Sequence, residues 1–165
     1  MVEELPDSAR RVQQALIAAG ISARILQLPQ STRTASEAAA AIGCRVEQIA
    51  KSLVFRRADW NRRVLIIASG PNRVDERLAS SYLNASIAKV DADFVRSATG
   101  FAIGGIPPLG HDPPIETLID QDLLQFDTIW AAAGTPHAVF SIDPQQLVRA
   151  TSGRVLPIVA SRQPP

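Results

Sequence analysis

The chain has 165 residues, of which 46% are hydrophobic and 20% charged, and a formal net charge of +1. That length suits one domain able to bury a core without staples, and the near-neutral charge argues against a protein that lives by non-specific phosphate attraction, while leaving room for contact with a short part of an RNA through a few placed basic groups. A single cysteine, Cys44, excludes an internal disulfide and any multi-cysteine metal site.

In chain order, residues 6–20 read as a first helix, with Asp7 or Ser8 as cap, Val12, Leu16 and Ile17 on one face, and Gly20 at the stop. Residues 22–29 read as a strand. Residues 34–43 form a clear helix, because Thr34 and Glu37 match a capping box, four alanines come next and Gly43 ends it. A short helical turn is expected at 46–51. Residues 52–69 carry the best hairpin signal: two β-prone apolar runs flank a polar turn at 59–61. Residues 72–83 and 91–98 read as helices led by a capping Asn or Asp. Strand-like runs occupy 115–134, and 137–143 reads as a strand. A last helix at 143–153 has Asp143 as cap and Pro144 in the first turn. The tail 161–165 is expected to fray. Helices and strands mix without strict alternation, so the fold class is α+β around a mixed or antiparallel sheet, with 1–165 as one domain.

No apolar run approaches the roughly 20 residues of a membrane span. The start "MVEELPDSARR" has no apolar signal core. The expectation is a cytoplasmic protein with no membrane contact.

Four places carry candidate chemistry. Lys51 stands between the helical turn and an apolar strand. Its stem can pack while its ammonium serves as an anion or carbonyl ligand, or it can simply solvate the strand end. The stretch "GFAIGGIPPLGHDPP" (100–114) is more than half Gly and Pro. Gly104 and Gly105 remove Cβ atoms where a ligand could approach and can leave two N–H donors for an oxyanion. Pro107 and Pro108 stiffen the loop on their C-terminal side. The same loop also reads as a tight crossover packed by Ile103, Ile106 and Leu109, with His111 at the surface. In "AAAGTPHAVF" (131–140), the alanines and Gly134 could floor a pocket while His137 orients a substrate or moves a proton, or His137 could merely end a strand. Finally, Arg56, Arg57, Arg62 and Arg63 around Trp60 could grip phosphates and stack a base, or protect a hairpin edge. There is no G-x-S-x-G elbow, phosphate loop or metal-spaced ligand set, so neither metal nor cofactor is called for. Cys44 has no activating base beside it.

Three stretches, "TASEAAAAIGCRVEQIAKSLVF" (34–55), "GFAIGGIPPLGH" (100–111) and "FDTIWAAAGTPHAVFSIDPQQL" (126–147), resemble in this order the YbaK family of aminoacyl-tRNA editing domains. That family includes free-standing deacylases and the editing insertion of bacterial prolyl-tRNA synthetases. The resemblance implies a barrel-like sheet with surrounding helices, and hydrolysis of the ester of a small amino acid wrongly attached to tRNA(Pro). A synthetase pocket discriminates poorly between small neighbours, which is why a second, hydrolytic site is needed. The implied partners are the tRNA acceptor end and prolyl-tRNA synthetase. The family lysine falls on Lys51, the glycine-rich loop on Gly104 and Gly105, the pocket glycine on Gly134, and the histidine of alanine-directed relatives on His137. Ser52, Ile106 and Pro107 adjoin these as substrate-binding positions. Cysteine-directed relatives carry a serine where Pro107 stands and lack the histidine. The resemblance therefore leans toward alanine or a similar small aliphatic group. A Cys-tRNA(Pro) deacylase, and a non-catalytic module that binds an aminoacyl or nucleotide group, are the alternatives.

Overall fold

The computed structural model describes residues 4–59 and 62–159. Helix α1 (Asp7–Ala18) buries Ala9, Val12 and Leu16 at helical spacing. It starts on Pro6 without a side-chain cap; Asp7 instead sits in the first turn and pairs with Arg10 at 3.1 Å. Strand β1 (Ile25–Gln27) comes next. Helix α2 (Ala35–Ile42) is bounded as its sequence reads: Thr34 accepts the Glu37 N–H, and Gly43 closes the helix at φ +84°. The expected turn at 46–51 is a single 3₁₀ turn, Val46–Gln48, and β2 runs from Ile49 to Arg57. Lys51 therefore lies inside a strand and not at a seam.

The hairpin pairs β2 with β3 (Arg62–Ser69) in an antiparallel register from Ala50↔Ser69 to Arg57↔Arg62. Trp60 and Asn61 of its expected turn lie outside the described residues. Helix α3 (Glu76–Leu83) is capped by Asp75 rather than Asn72, and α4 (Ala92–Thr99) by Asp91. Strands β5 (Glu116–Asp120), β6 (Ile129–Ala132) and β7 (Ala138–Ile142) lead to α5 (Pro144–Thr151), which Asp143 caps. Two strands of three residues, β4 (Ile87–Lys89) and β8 (Arg154–Leu156), were not expected. Runs that short carry no readable alternation. The expected tail fraying concerns residues outside the described ones.

The sheet order is β1-β7-β6-β2-β3-β5-β8, with β4 added on β2. Three pairings are parallel, β2 with β6, β3 with β5, and β5 with β8, so the mixed α+β sheet is as expected. The barrel-like closure is not. The path ends in two three-residue strands, β1 and β8, each bonded on one side only, and no ladder joins them among the described residues. Strand β2 is the hub. On the edge away from β3, Ile49 and Ala50 pair with β6, whereas Phe55–Arg57 pair with β4. Among the described residues, 51–54 pair with no strand on that edge. One face of β2, Ala50 and Val54, joins the main core with Leu65 and Ile67. The other, Leu53 and Phe55, packs under α3.

Loop 100–114 buries Phe101, Ile106 and Leu109, but Ile103 is 50% exposed. His111 is not at the surface as expected. It is half-buried, edge-on to Phe101, and donates from Nε2 to the Pro107 carbonyl at 2.8 Å. Its Nδ1 is buried without a partner. Burial holds its pKa below the ordinary value; Arg63 and Arg11 act in the same direction, against the Pro107 hydrogen bond.

A buried carboxylate ties the ends of β3 and β5 together. Asp120 accepts the Ser69 N–H at 3.0 Å, the Asn72 amide at 2.8 Å and the Asp122 N–H at 2.9 Å.

Both features have measurable consequences. Asp120→Leu strands buried donors, each worth about 1.5–3 kcal/mol when bonded to a charge; chemical denaturation is expected to show a loss of roughly 2–4 kcal/mol. His111 has a folded pKa below its unfolded value near 6.5, so its contribution to stability is full above about pH 6.5 and declines as the pH falls through that value. The melting temperature of His111→Asn is expected to fall less between pH 7 and 5 than that of the native chain.

Candidate functional site

A cavity of about 650 Å³ opens at the unpaired edge of β2. Residues 49–55 of that strand form one wall. Ile103, Gly104 and Ile106 of the glycine-proline loop form another, and the segment Thr32–Ala35 leading into α2 a third. One lobe is aliphatic, with Val54 from β2, Val95 from α4 and Ile106 from the loop, which share the main core cluster.

Four of the expected site residues meet here: Lys51, Ser52, Gly104 and Ile106. Lys51 is half-buried and forms no ion pair among the described residues. Burial lowers its pKa, opposed by the field of Asp120. The Ser52 hydroxyl is buried with no hydrogen-bond partner among the described residues. Gly104 has φ +93°, and a Cβ there would sit 2.6 Å from Arg33 Cγ, so only glycine lets the arginine cross the loop. No hydrogen bond to the Gly104 N–H is found among the described residues.

The other expected residues lie behind this wall or away from it. The Gly105 N–H is not free, because it closes a turn onto the Ala102 carbonyl at 3.0 Å. The Gly105 carbonyl accepts the Gly134 N–H at 2.9 Å, and a Cβ on Gly105 would meet the Thr135 backbone at 2.9 Å. Gly134 packs on α1: a Cβ there would lie 2.5 Å from the Ser8 carbonyl oxygen. Both glycines serve backbone packing and neither lines the cavity. Pro107 is buried and also off the cavity. His137 is exposed, outside the cavity, and its Nδ1–H donates to the Gln30 carbonyl at 3.0 Å. It fastens the strap 28–32 to the turn before β7, together with Leu28 N–H to His137 O at 2.7 Å.

The arginine hairpin is not a free cationic grip. Arg57 pairs with Asp59 at 2.6 Å and Glu116 at 2.8 Å, and Arg63 donates to the Ala98 and Pro113 carbonyls. Arg56 and Arg62 are exposed, and none of the four reaches the cavity. The cations that do reach it were not anticipated. Arg33, Arg73 and Lys89 join Lys51 there, against the single carboxylate Glu76, which lies 3.9 Å from Lys89. No sequence pattern marks them, since they come from three unrelated segments. Asn72, expected as a helix cap, lines the cavity while donating to Asp120 and Asp122. Cys44 packs beside α2, and burial pushes its thiol pKa up.

Among the described residues no set of three or more His, Cys, Asp or Glu is placed to hold a metal ion, and no helix is long and apolar enough to cross a membrane. Comparison with known proteins agrees with this geometry. A solved structure described as a candidate trans-editing enzyme for prolyl-tRNA synthetase is 42% identical, with a TM-score of 0.89, over 96% of this chain and 100% of that one. A hypothetical protein of known structure is 26% identical, with a TM-score of 0.85, over 91% of this chain and 99% of that one. The protein YwhH of Bacillus subtilis (strain 168) is 29% identical over 133 residues, 79% of this chain and 83% of its own length. Residues 29–150, which contain every wall of the cavity, match the aminoacyl-tRNA editing domain, and the chain belongs to that family.

Proposed function

We propose that this protein is a deacylase that hydrolyses the ester of alanine, or a similarly small aliphatic amino acid, misattached to tRNA(Pro). The observation that carries the reading is the cavity itself: an aliphatic lobe beside a half-buried, unpaired lysine, under a rim of cations, in an editing-family chain. Its volume of about 650 Å³ falls within the roughly 300–1,000 Å³ of sites that bury a whole small ligand. It has room for the terminal nucleoside as well as a methyl side chain. Arg33, Arg73 and Lys89 suit the phosphates of the single-stranded acceptor end.

In the reaction, water adds to the ester carbonyl carbon and the carbonyl oxygen becomes an oxyanion. The carbon–oxygen bond to the ribose then breaks, the ribose oxygen takes a proton, and the free amino acid leaves. Lys51 neutralises the developing charge, and the Gly104 N–H is a donor on the same wall. The substrate's own neighbouring ribose hydroxyl positions the water. Val54, Val95 and Ile106 accept the side chain. His137 and Gly134 act on this site only through the backbone they hold. Prolyl-tRNA synthetase would supply the mischarged tRNA.

Three measurements test this. In a panel of mischarged tRNA(Pro) species, Ala-tRNA(Pro) is expected to be hydrolysed faster than Cys-tRNA(Pro), and single turnover with excess protein is expected to release alanine; protection of the ester instead would identify a binding module. Lys51→Ala is expected to lower kcat about 100-fold, the scale of losing one oxyanion stabiliser. Arg33→Ala combined with Arg73→Ala is expected to raise KM and flatten its salt dependence, by a log–log slope of about 0.7 for each phosphate no longer neutralised, whereas Arg62→Ala leaves both unchanged.

A further inference from the structure

The unpaired stretch of β2 has a direction that can be read from its neighbours. In a strand, the N–H and C=O of one residue point to the same edge, and successive residues alternate. The Ala58 N–H crosses the β4 edge to Ser86 O at 2.9 Å, and on the opposite strand the Ser69 N–H turns away from β2 to Asp120. Counting back from Ala58 by twos, the backbone of Ser52 faces the gap between β4 and β6. Among the described residues, no ladder pairing or other backbone hydrogen bond across that edge engages it. Its hydroxyl, on the same residue, is buried without a partner. Ser52 thus presents a backbone donor and acceptor to the cavity beside a buried hydroxyl that has no partner among the described residues; buried polar groups are nearly always paired, so a ligand is the natural complement.

An aminoacyl ester in an extended conformation presents an N–H donor and a C=O acceptor along one edge, as a strand residue does. We propose that the aminoacyl group binds as a one-residue strand on the open edge of β2, its α-amino group donating to the Ser52 carbonyl and its ester carbonyl oxygen accepting the Ser52 N–H. This rests on the deacylase reading and adds what that reading lacks, a second backbone donor in place of Gly105, whose N–H is occupied. The pairing also orients the side chain. Residues that exchange both hydrogen bonds in an antiparallel pair put their side chains on the same face. An L-residue on Ser52 therefore projects toward the face of Ala50 and Val54, where Val95 and Ile106 also pack. That is the aliphatic lobe. The opposite face is left to the ribose and phosphates and to the Lys51 ammonium that neutralises the developing oxyanion. The site so defined selects a free or singly substituted α-amino group as well as a small side chain.

The test removes each half of the pair. Ser52→Ala is compared with the same position carrying lactic acid, which is alanine with an ester oxygen in place of its N–H. That N–H lies on the unpaired edge, so the ester removes no donor from the sheet; it only weakens the Lys51 carbonyl as acceptor in the pair with Ala68, and the lactic acid variant is expected to stay folded with a melting temperature a few degrees lower. The lactic acid variant is expected to deacylate Ala-tRNA(Pro) about 100-fold more slowly than Ser52→Ala; equal rates overturn the pairing. With the native chain, propionyl-tRNA(Pro), which lacks the α-amino group, is expected to show at least tenfold less acceleration over its own uncatalysed hydrolysis than alanyl-tRNA(Pro); equal acceleration also overturns it. Failure of the native chain to hydrolyse alanyl-tRNA(Pro) at all would instead remove the deacylase reading on which the pairing stands.

Discussion

A change of partner along one edge of one strand governs this structure. Strand β2 binds β6 over two residues and β4 over three, and the four residues between them pair with no strand on that edge among the described residues. In a continuous sheet that edge would be sealed by a ladder. Here the sheet splits, and the two faces of β2 become two sides of one cavity: an aliphatic side continuous with the main core and a side on which Lys51 stands. An open strand edge is ordinarily a liability, since it invites pairing with another chain. Here the glycine-proline loop and the segment before α2 enclose it, so the edge is closed to another chain and open only to something small.

The walls are held by backbone packing more than by side chains. Gly105 and Gly134 bond to each other through the main chain, and Gly134 in turn lies against the first turn of α1. A Cβ at either position would collide with backbone, which cannot move aside. Loop 100–114 is thereby clamped between α1 and the turn before β7, with Phe101, Ile106 and Leu109 sunk in the core. Gly104, one residue further toward the cavity, is the place where this scaffold meets Arg33. Glycines that look equivalent in sequence thus separate into two that fix the wall and one that forms its surface.

Charge divides in a similar way. Arg57 and Arg63 are spent on carboxylates and carbonyls of the hairpin's own surroundings, while Arg33, Lys51, Arg73 and Lys89 converge on the cavity from four segments. Asp120 is buried close to them, yet its oxygens are occupied by three neutral N–H donors. It acts on Lys51 through its field, which partly offsets the burial that lowers the lysine pKa. A cation that is desolvated and unpaired is poised for an anion that arrives from outside.

Local chemistry by itself determined much of the fold. The caps at Thr34, Asp91 and Asp143, the glycine after α2 and the alternating apolar runs of the β2–β3 hairpin act within a few residues, so they are legible without a structure. Lys51, Ser52, Gly104 and Ile106, named from the sequence, all line the cavity: Lys51 and Gly104 stand out locally, as a lysine at an apolar strand and a glycine in a stiff loop, and Ser52 and Ile106 follow from the resemblance. The sequence could not tell that Gly105 and Gly134 face inward, that His137 secures a strap, that His111 is buried, or which of its arginines are free. Each of those depends on what lies opposite, and the partners are tens of residues away: Ser8 for Gly134, Gln30 for His137, Glu116 for Arg57. The gap in the sheet is the extreme case. Nothing in residues 51–54 distinguishes them from a fully paired strand, and only the placement of β4 and β6, each too short to announce itself, left that edge open.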